Sequence, residues 1–260
     1  MPSKTYPIYC FSVAVLCIGL TLPVQVRADV LECGELKNYQ NIGPWDYADP
    51  SSNVPTGADP MGHVKRVENV HFTPEMQTLN LKHFSIDRLT NEIHYTLRAL
   101  PNHPGALMAI SRLERMAGGK LPQRGITPFT PRITADCFFD RAIRFRPRDK
   151  MVRMIHGMHL QQHGKLQEAL AEYEKAQSLG EDSPNLSYNL GLLYADLNNW
   201  DKAYEYGEKA QRGGFMLPGL RARLEKAGHP LPPLPPPPAA PTPTGTVTDP
   251  ESSVSQDATE

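Results

Sequence analysis

Residues 189–210 read NLGLLYADLNNWDKAYEYGEKA, with Gly191 inside a stretch of otherwise helical composition. Glycine in a helix interior costs about 1 kcal/mol relative to alanine, so the position implies a compensating contact. Moved back by 34 residues, the stretch falls on GMHLQQHGKLQEALAEYEKA. Gly191 lands on Gly157, Ala203 on Ala169 and Ala210 on Ala176, while Glu208 and Lys209 land on Glu174 and Lys175. Another step of the same length sets Ala176 on Ala142, Ala169 on Ala135 and Tyr173 on Phe139, within TADCFFDRAIRFRPRD. Pro147 ends that helix. A fixed period of this size marks a solenoid of stacked helix pairs. Its small residues sit where antiparallel helices cross closely, since two backbones approach best where one lacks a side chain. Ala169 and Ala176, like Ala203 and Ala210, are seven apart and share a helix face.

The small residue in the first helix, the paired alanines bracketing a large residue in the second, and the boundary proline resemble the tetratricopeptide repeat. The resemblance implies an all-α fold, an antiparallel helix-pair solenoid. It places clear repeats at 150–183 and 184–217 and a degenerate one at 104–149, within a helical domain spanning 73–228. Three departures stand out. His156 occupies a slot that the repeat usually gives to a large apolar residue. Gly207 stands where Tyr173 and Phe139 stand earlier, which leaves a thin spot in the last pair. The insertion GGKLPQRGITPFTPR interrupts the early unit before its second helix. PGLRARLEKAG, Pro218–Gly228, reads as the polar closing helix that a solenoid end needs.

Both ends differ from this core. Lys4, the apolar run Ile8–Leu22 and the small-residue site VRA at 26–28 have the pattern of a secretory signal peptide over residues 1–28. An uncleaved anchor is the alternative. Removal would take Cys10 and Cys17 away and leave Cys33 and Cys137, which suits one disulfide in an exported protein. No stable membrane span is expected after cleavage, and the expected compartment is the periplasm. Residues 29–72 are dense in turn formers and read as an extended segment lying over the helices, with Trp45 and Tyr47 needing a surface to pack on. Thr73 and Pro74 then read as cap and first residue of a helix. A longer helix follows over Ser85–Leu100, and Pro101 and Pro104 stop it. The tail 229–260 begins HPLPPLPPPP and reads as a polyproline II spacer followed by disordered sequence. The order of an early CG, YTLRALPNHP and CFFDRAIRFRP also resembles a group of small exported proteobacterial proteins built on this repeat. That resemblance implies an architecture and no particular activity.

Chemistry is sparse. A net charge of −1 offers no global attraction to nucleic acid. No nucleophile elbow, phosphate loop, metalloprotease helix or Cys-x-x-Cys pair is present, so neither enzyme activity nor a cofactor is expected. His156, His159 and His163 fall roughly along one helical face, which suggests a metal stripe as one reading and ordinary packing or surface histidines as the other. Arg141, Arg144, Arg146, Arg148 and Arg153 crowd one turn and form a basic cluster. They suit either a solvated helix end or an acidic partner. Tetratricopeptide repeats usually hold extended peptides along the face of their first helices. Carried onto this chain, that face is Met108, Arg112, Arg115, Met151, Met154, Met158, Gln162, Tyr188, Asn189 and Leu192. Methionines there would make an adaptable apolar groove. The expected function is a non-catalytic scaffold or adaptor holding a protein or peptide in the cell envelope. The alternatives are a metal-handling protein or a structural accessory subunit whose N-terminal segment fills its own groove.

Overall fold

A computed structural model describes residues 33–37, 42–123, 132–215 and 217–233. The apolar run at 8–22 and the tail beyond 233 lie outside these. Helix starts follow from local capping chemistry. Thr73 Oγ1 accepts the Met76 amide and Pro74 opens the short α2, Pro74–Gln77; before it stands α1, His63–His71. Ser85 caps α3, Ile86–Ala99, and the His103 ring caps α4, Pro104–Met116. Thr134 starts α5, Ala135–Phe145, and Asp149 accepts two amides at the head of α6, Lys150–Gln162. Then come α7, Leu166–Ser178, and α8, Pro184–Asp196, capped by Ser183. Asn199 caps α9, Trp200–Arg212, and α10 closes the series at Pro218–Lys226. Side-chain oxygens and the imidazole thus satisfy first-turn amides that a helix cannot pair internally. Among the described residues there is no strand beyond an isolated bridge between Thr56 and Asp59. No helix there is long and apolar enough to cross a membrane.

The helices stack as antiparallel pairs, most extensively α6 with α7 and α8 with α9. First helices adjoin one another, α4 against α6 and α6 against α8, while α10 packs on α8 and α9. One core joins α2–α5 to the head of α6 through Phe72, Ile93, Leu107, Ile110, Phe138 and Phe139. A second core runs from Met154 and Tyr173 through Leu190 and Ala203 to Leu220 and Leu231.

The expected contact at the helical glycines is present, with a different partner in each pair. A Cβ on Gly157 would lie 2.6 Å from two ring carbons of Tyr173, the large residue between the alanines of α7. A Cβ on Gly191 would meet the Leu220 side chain of α10, with the Ala203 carbonyl of α9 at 3.3 Å. The thin spot at Gly207 is filled: Leu224, Leu220 and Leu231 side chains stand 3.1–3.3 Å from where its Cβ would be.

The N-terminal segment lies over the helices, but not as extended chain throughout. Residues 63–71 form α1. Only Val64 and Val67 are buried within its polar sequence, and Gly62 supplies no side-chain cap, so neither periodicity nor a start signal marks it. Upstream, the Trp45 amide donates to the Ala99 carbonyl at 2.8 Å, and the indole stacks on His63 with centroids 4.2 Å apart. Tyr47 packs on His103 and donates its amide to Asn102 Oδ1. Asn102 Nδ2 donates both to Asp46 and to Asp149, the cap of α6. A disulfide joins Cys33 to Cys137 of α5 across 104 residues. A loop of that size corresponds to about 4.7 kcal/mol in the chain-entropy view.

The insertion after α4 is closed by one side chain. Gln123 donates to the Ile133 carbonyl at 2.7 Å and accepts the Ile133 amide at 2.9 Å. Leu121 and Ile133 are buried beneath this clip.

Candidate functional site

Three arginines of the basic cluster, Arg141, Arg144 and Arg153, turn inward. Arg141 is 3% exposed and donates to the carbonyls of Cys33 and Glu35. Burial, then the neighbouring Arg144 and Arg98, bring its pKa down to about 10, so it stays charged at neutral pH. Arg144 donates to the Gly34 carbonyl and to Asp140. Arg146 pairs with Asp46 at 2.6 Å, and Arg153 holds both oxygens of Glu172. Of the five, Arg146 and Arg148 are exposed and border an apolar cavity of about 780 Å³ with Phe145, Pro147, Met151 and Ala48. The cluster's main task is to strap residues 33–37 and 46 onto α5. Sequence spacing cannot show this, because the accepting carbonyls lie more than a hundred residues upstream.

The histidine stripe divides among separate tasks. His156 is half-buried and stacks on Phe139, so an imidazole fills the slot of the usual large apolar residue. His163 Nδ1 donates to the His159 carbonyl at 2.8 Å. His159, 3% exposed, lies 3.0 Å through Nε2 from Asp136 and 2.8 Å through Nδ1 from the Ser111 hydroxyl. The Asp136 carboxylate is held down to about 2, chiefly by its hydrogen bond with His159. An ionised Asp136 fixes the proton on Nε2, so Nδ1 accepts from Ser111. Burial is the main force holding the His159 pKa below the usual imidazole range. This Ser–His–Asp line joins α4, α6 and α5. Its burial order is the reverse of a nucleophilic triad: Ser111 is 4% exposed, while the Asp136 carboxylate faces solvent. The arrangement suits a strut. Among the described residues, no group of three His, Cys, Asp or Glu side chains is placed to hold a metal ion. Ser111 and Asp136 escaped sequence reasoning because they stand 48 and 23 residues from the histidine they meet.

Asp136, His159 and His163 also face a polar cavity of about 570 Å³ over the disulfide, with Glu114, Arg132 and Lys165. Burial raises the Glu114 carboxyl pKa. Its oxygens accept the Ala135 amide at the head of α5. The charges around this cavity are mixed, with no single-sign field to select an ion.

The expected groove is shorter than the repeat pattern suggests. Met108, Arg112, Met158 and Gln162 come together in a cleft between α4 and α6, floored by Ser111, Ile155 and His159. Met108 is 40% exposed, and Arg115 donates to Gln162 at one end of the cleft. Met154 is 2% exposed and belongs to the second core, so it offers no binding surface. Asn189 is also buried and donates to Asn185. Met151 faces the separate cavity beside Phe145. Tyr188 lies against Phe215, and Leu192 packs partly on the second core. A polar chain crosses four elements. Tyr173 donates to Gln161 at 3.0 Å, Gln161 donates to Asp196 at 2.6 Å, and Asp196 pairs with Arg223 of α10 at 2.7 Å.

The N-terminal residues that the structure describes pack elsewhere, with Trp45 and Tyr47 on a small core formed by Val64, Val67, Ala99 and Leu100. The described walls of the methionine cleft come from α4 and α6 alone.

Comparison with known proteins agrees with this geometry. Residues 160–198 match the family model described as TPR repeat, a span running from the end of α6 across α7 to the end of α8. No curated protein matches the chain in sequence. Eleven chains of solved structures match it. One, described as "Functional Characterization of Pseudomonas Aeruginosa pilF", is 17% identical over 63% of this chain and 68% of that chain, with a TM-score of 0.46. The match to the tetratricopeptide repeat therefore rests on residues 160–198.

Proposed function

We propose that this tetratricopeptide repeat protein is a non-catalytic binding module of the cell envelope that holds a protein or peptide partner on the face of α4 and α6. The observation carrying this reading is the exposed Met108 beside Met158, over a shallow cleft of about 30 Å³ between α4 and α6. Thioethers adapt to varied apolar side chains, while Arg112 and Arg115 stand beside them to meet carboxylates. The fitting partner is a segment with apolar anchors flanked by acidic residues. Export is supported by the leader pattern at residues 1–28 and by the disulfide, which persists in oxidising compartments.

A photo-crosslinking residue at Met158, in full-length protein expressed in a Gram-negative envelope, tests the reading. The expected product is one partner protein, lost when Met108 is also changed to Glu, with the thermal midpoint unchanged. Crosslinks confined to the protein's own N-terminal residues would instead identify a structural subunit with a self-filled groove.

A further inference from the structure

The end of the solenoid contains a second site, independent of the methionine cleft. In the repeat register, position 207 should carry the aromatic ring that Tyr173 and Phe139 supply earlier. Gly207 leaves that space to leucine side chains, Leu224 and Leu220 of α10 and then Leu231, which is 8% exposed with its Cδ1 3.3 Å from where a Gly207 Cβ would be. Leu220, Tyr188, Phe215 and Leu217 complete the walls. The backbone after Leu231 is read by donors. Arg221 donates to the Leu231 carbonyl at 3.2 Å and to the Pro232 carbonyl at 2.7 Å. Gln211 Nε2 donates to the carbonyls of Pro232 and Pro233, and its Oε1 orients the Arg221 guanidinium. Proline has no N–H, so a proline-rich segment offers only acceptors. Polyproline II chains also make no internal hydrogen bonds, which leaves those acceptors available. The site presents an apolar hole and donors, the complement of such a chain.

The sequence supplies the motif twice. Leu231-Pro232-Pro233 is followed at once by Leu234-Pro235-Pro236. In a polyproline II chain, with three residues per turn, leucines at this spacing would share a face. Each molecule therefore brings two copies of the motif to one seat. We propose that this seat recognises an extended Leu-Pro-Pro segment, filled in cis by Leu231–Pro233 and able to take the same motif from the tail of a second copy of the chain. Cis occupancy has an effective concentration in about the millimolar range, so exchange between copies emerges when the cis motif is displaced.

The test uses two full-length variants. A receptor, Leu231→Ser with Leu234→Ser, has a vacated seat. A donor, Gly207→Phe, has a filled seat and an intact tail. The synthetic peptide PLPPLPPPP should bind the receptor and bind wild type far more weakly. Adding Arg221→Ala to the receptor should weaken binding about tenfold, the scale of losing a charged donor. Receptor and donor mixed should form a one-to-one complex in sedimentation that neither forms alone. Failure of the folded receptor to bind the peptide overturns the site; peptide binding without a mixed complex overturns the second copy as its source. Gly207→Phe alone should release the tail and lengthen the maximum dimension in small-angle scattering. An unchanged dimension would overturn cis seating even if the receptor variant failed to fold.

Discussion

The pair α6–α7 and the pair α8–α9 solve the same packing problem with different partners. In α6–α7, Gly157 faces the Tyr173 ring of its own second helix, and Tyr173 is fully buried. In α8–α9, Gly191 faces Gly207 across the seam, and the space is filled from outside by Leu220 of α10. The first pair is self-sufficient; the second borrows its filling from the closing helix. Repeats of one period can therefore differ in where their stability resides, since solenoid stability divides between intrinsic and neighbour contributions.

Four substitutions test this contrast, and they can be ranked by expected effect on urea unfolding. Tyr173→Ala should cost the most, about 3–5 kcal/mol, because a large buried ring leaves a cavity and its hydroxyl no longer donates to Gln161. Leu220→Ala should cost about 2–4 kcal/mol and should loosen α9 in hydrogen exchange while leaving α6 and α7 protected. Equal loss of protection in both pairs would erase the distinction drawn between them. Gly157→Ala should destabilise by about 1–3 kcal/mol, the scale of overpacking, because the ring it meets has no room to withdraw. Gly191→Ala should change stability by less than about 1 kcal/mol. Its new methyl meets the movable end of Leu220, and alanine recovers about 1 kcal/mol of helix propensity. A larger loss at Gly191 than at Gly157 would reverse the comparison.

A weaker effect is expected with pH. His159 is neutral in the fold because burial lowers its pKa, whereas the unfolded chain takes up a proton near 6.5. The stability it contributes is present above about pH 6.5 and declines as pH falls below that value. His159→Asn should flatten this decline in urea titrations at pH 7 and pH 5.5. Asp136 contributes in a separate window, losing its part as pH drops below 3.8 toward about 2.

The helix pairs were legible because small residues recur at a fixed interval and capping residues sit at each start. Gly191 and Gly157 announced a close approach, yet the filling side chain could be named only from coordinates. Gly207 looked like a defect because its complement comes from outside the repeat, from Leu224 and Leu220 of α10 and from Leu231 in the proline-rich sequence beyond it. The roles of Arg141 and Arg144 were illegible because they donate to main-chain carbonyls, which leave no mark in side-chain spacing. The methionine cleft was legible in part: Met108, Arg112, Met158 and Gln162 meet as projected, while Met154 turns into the core.

The clip between Gln123 and Ile133 separates what lies between these residues from the register of the helices on either side. Both ends of the stretch are tied to each other at the clip. A fluorescent reporter or affinity tag spliced there would ride on the protein without disturbing its repeats, giving a handle from which to follow the module at work.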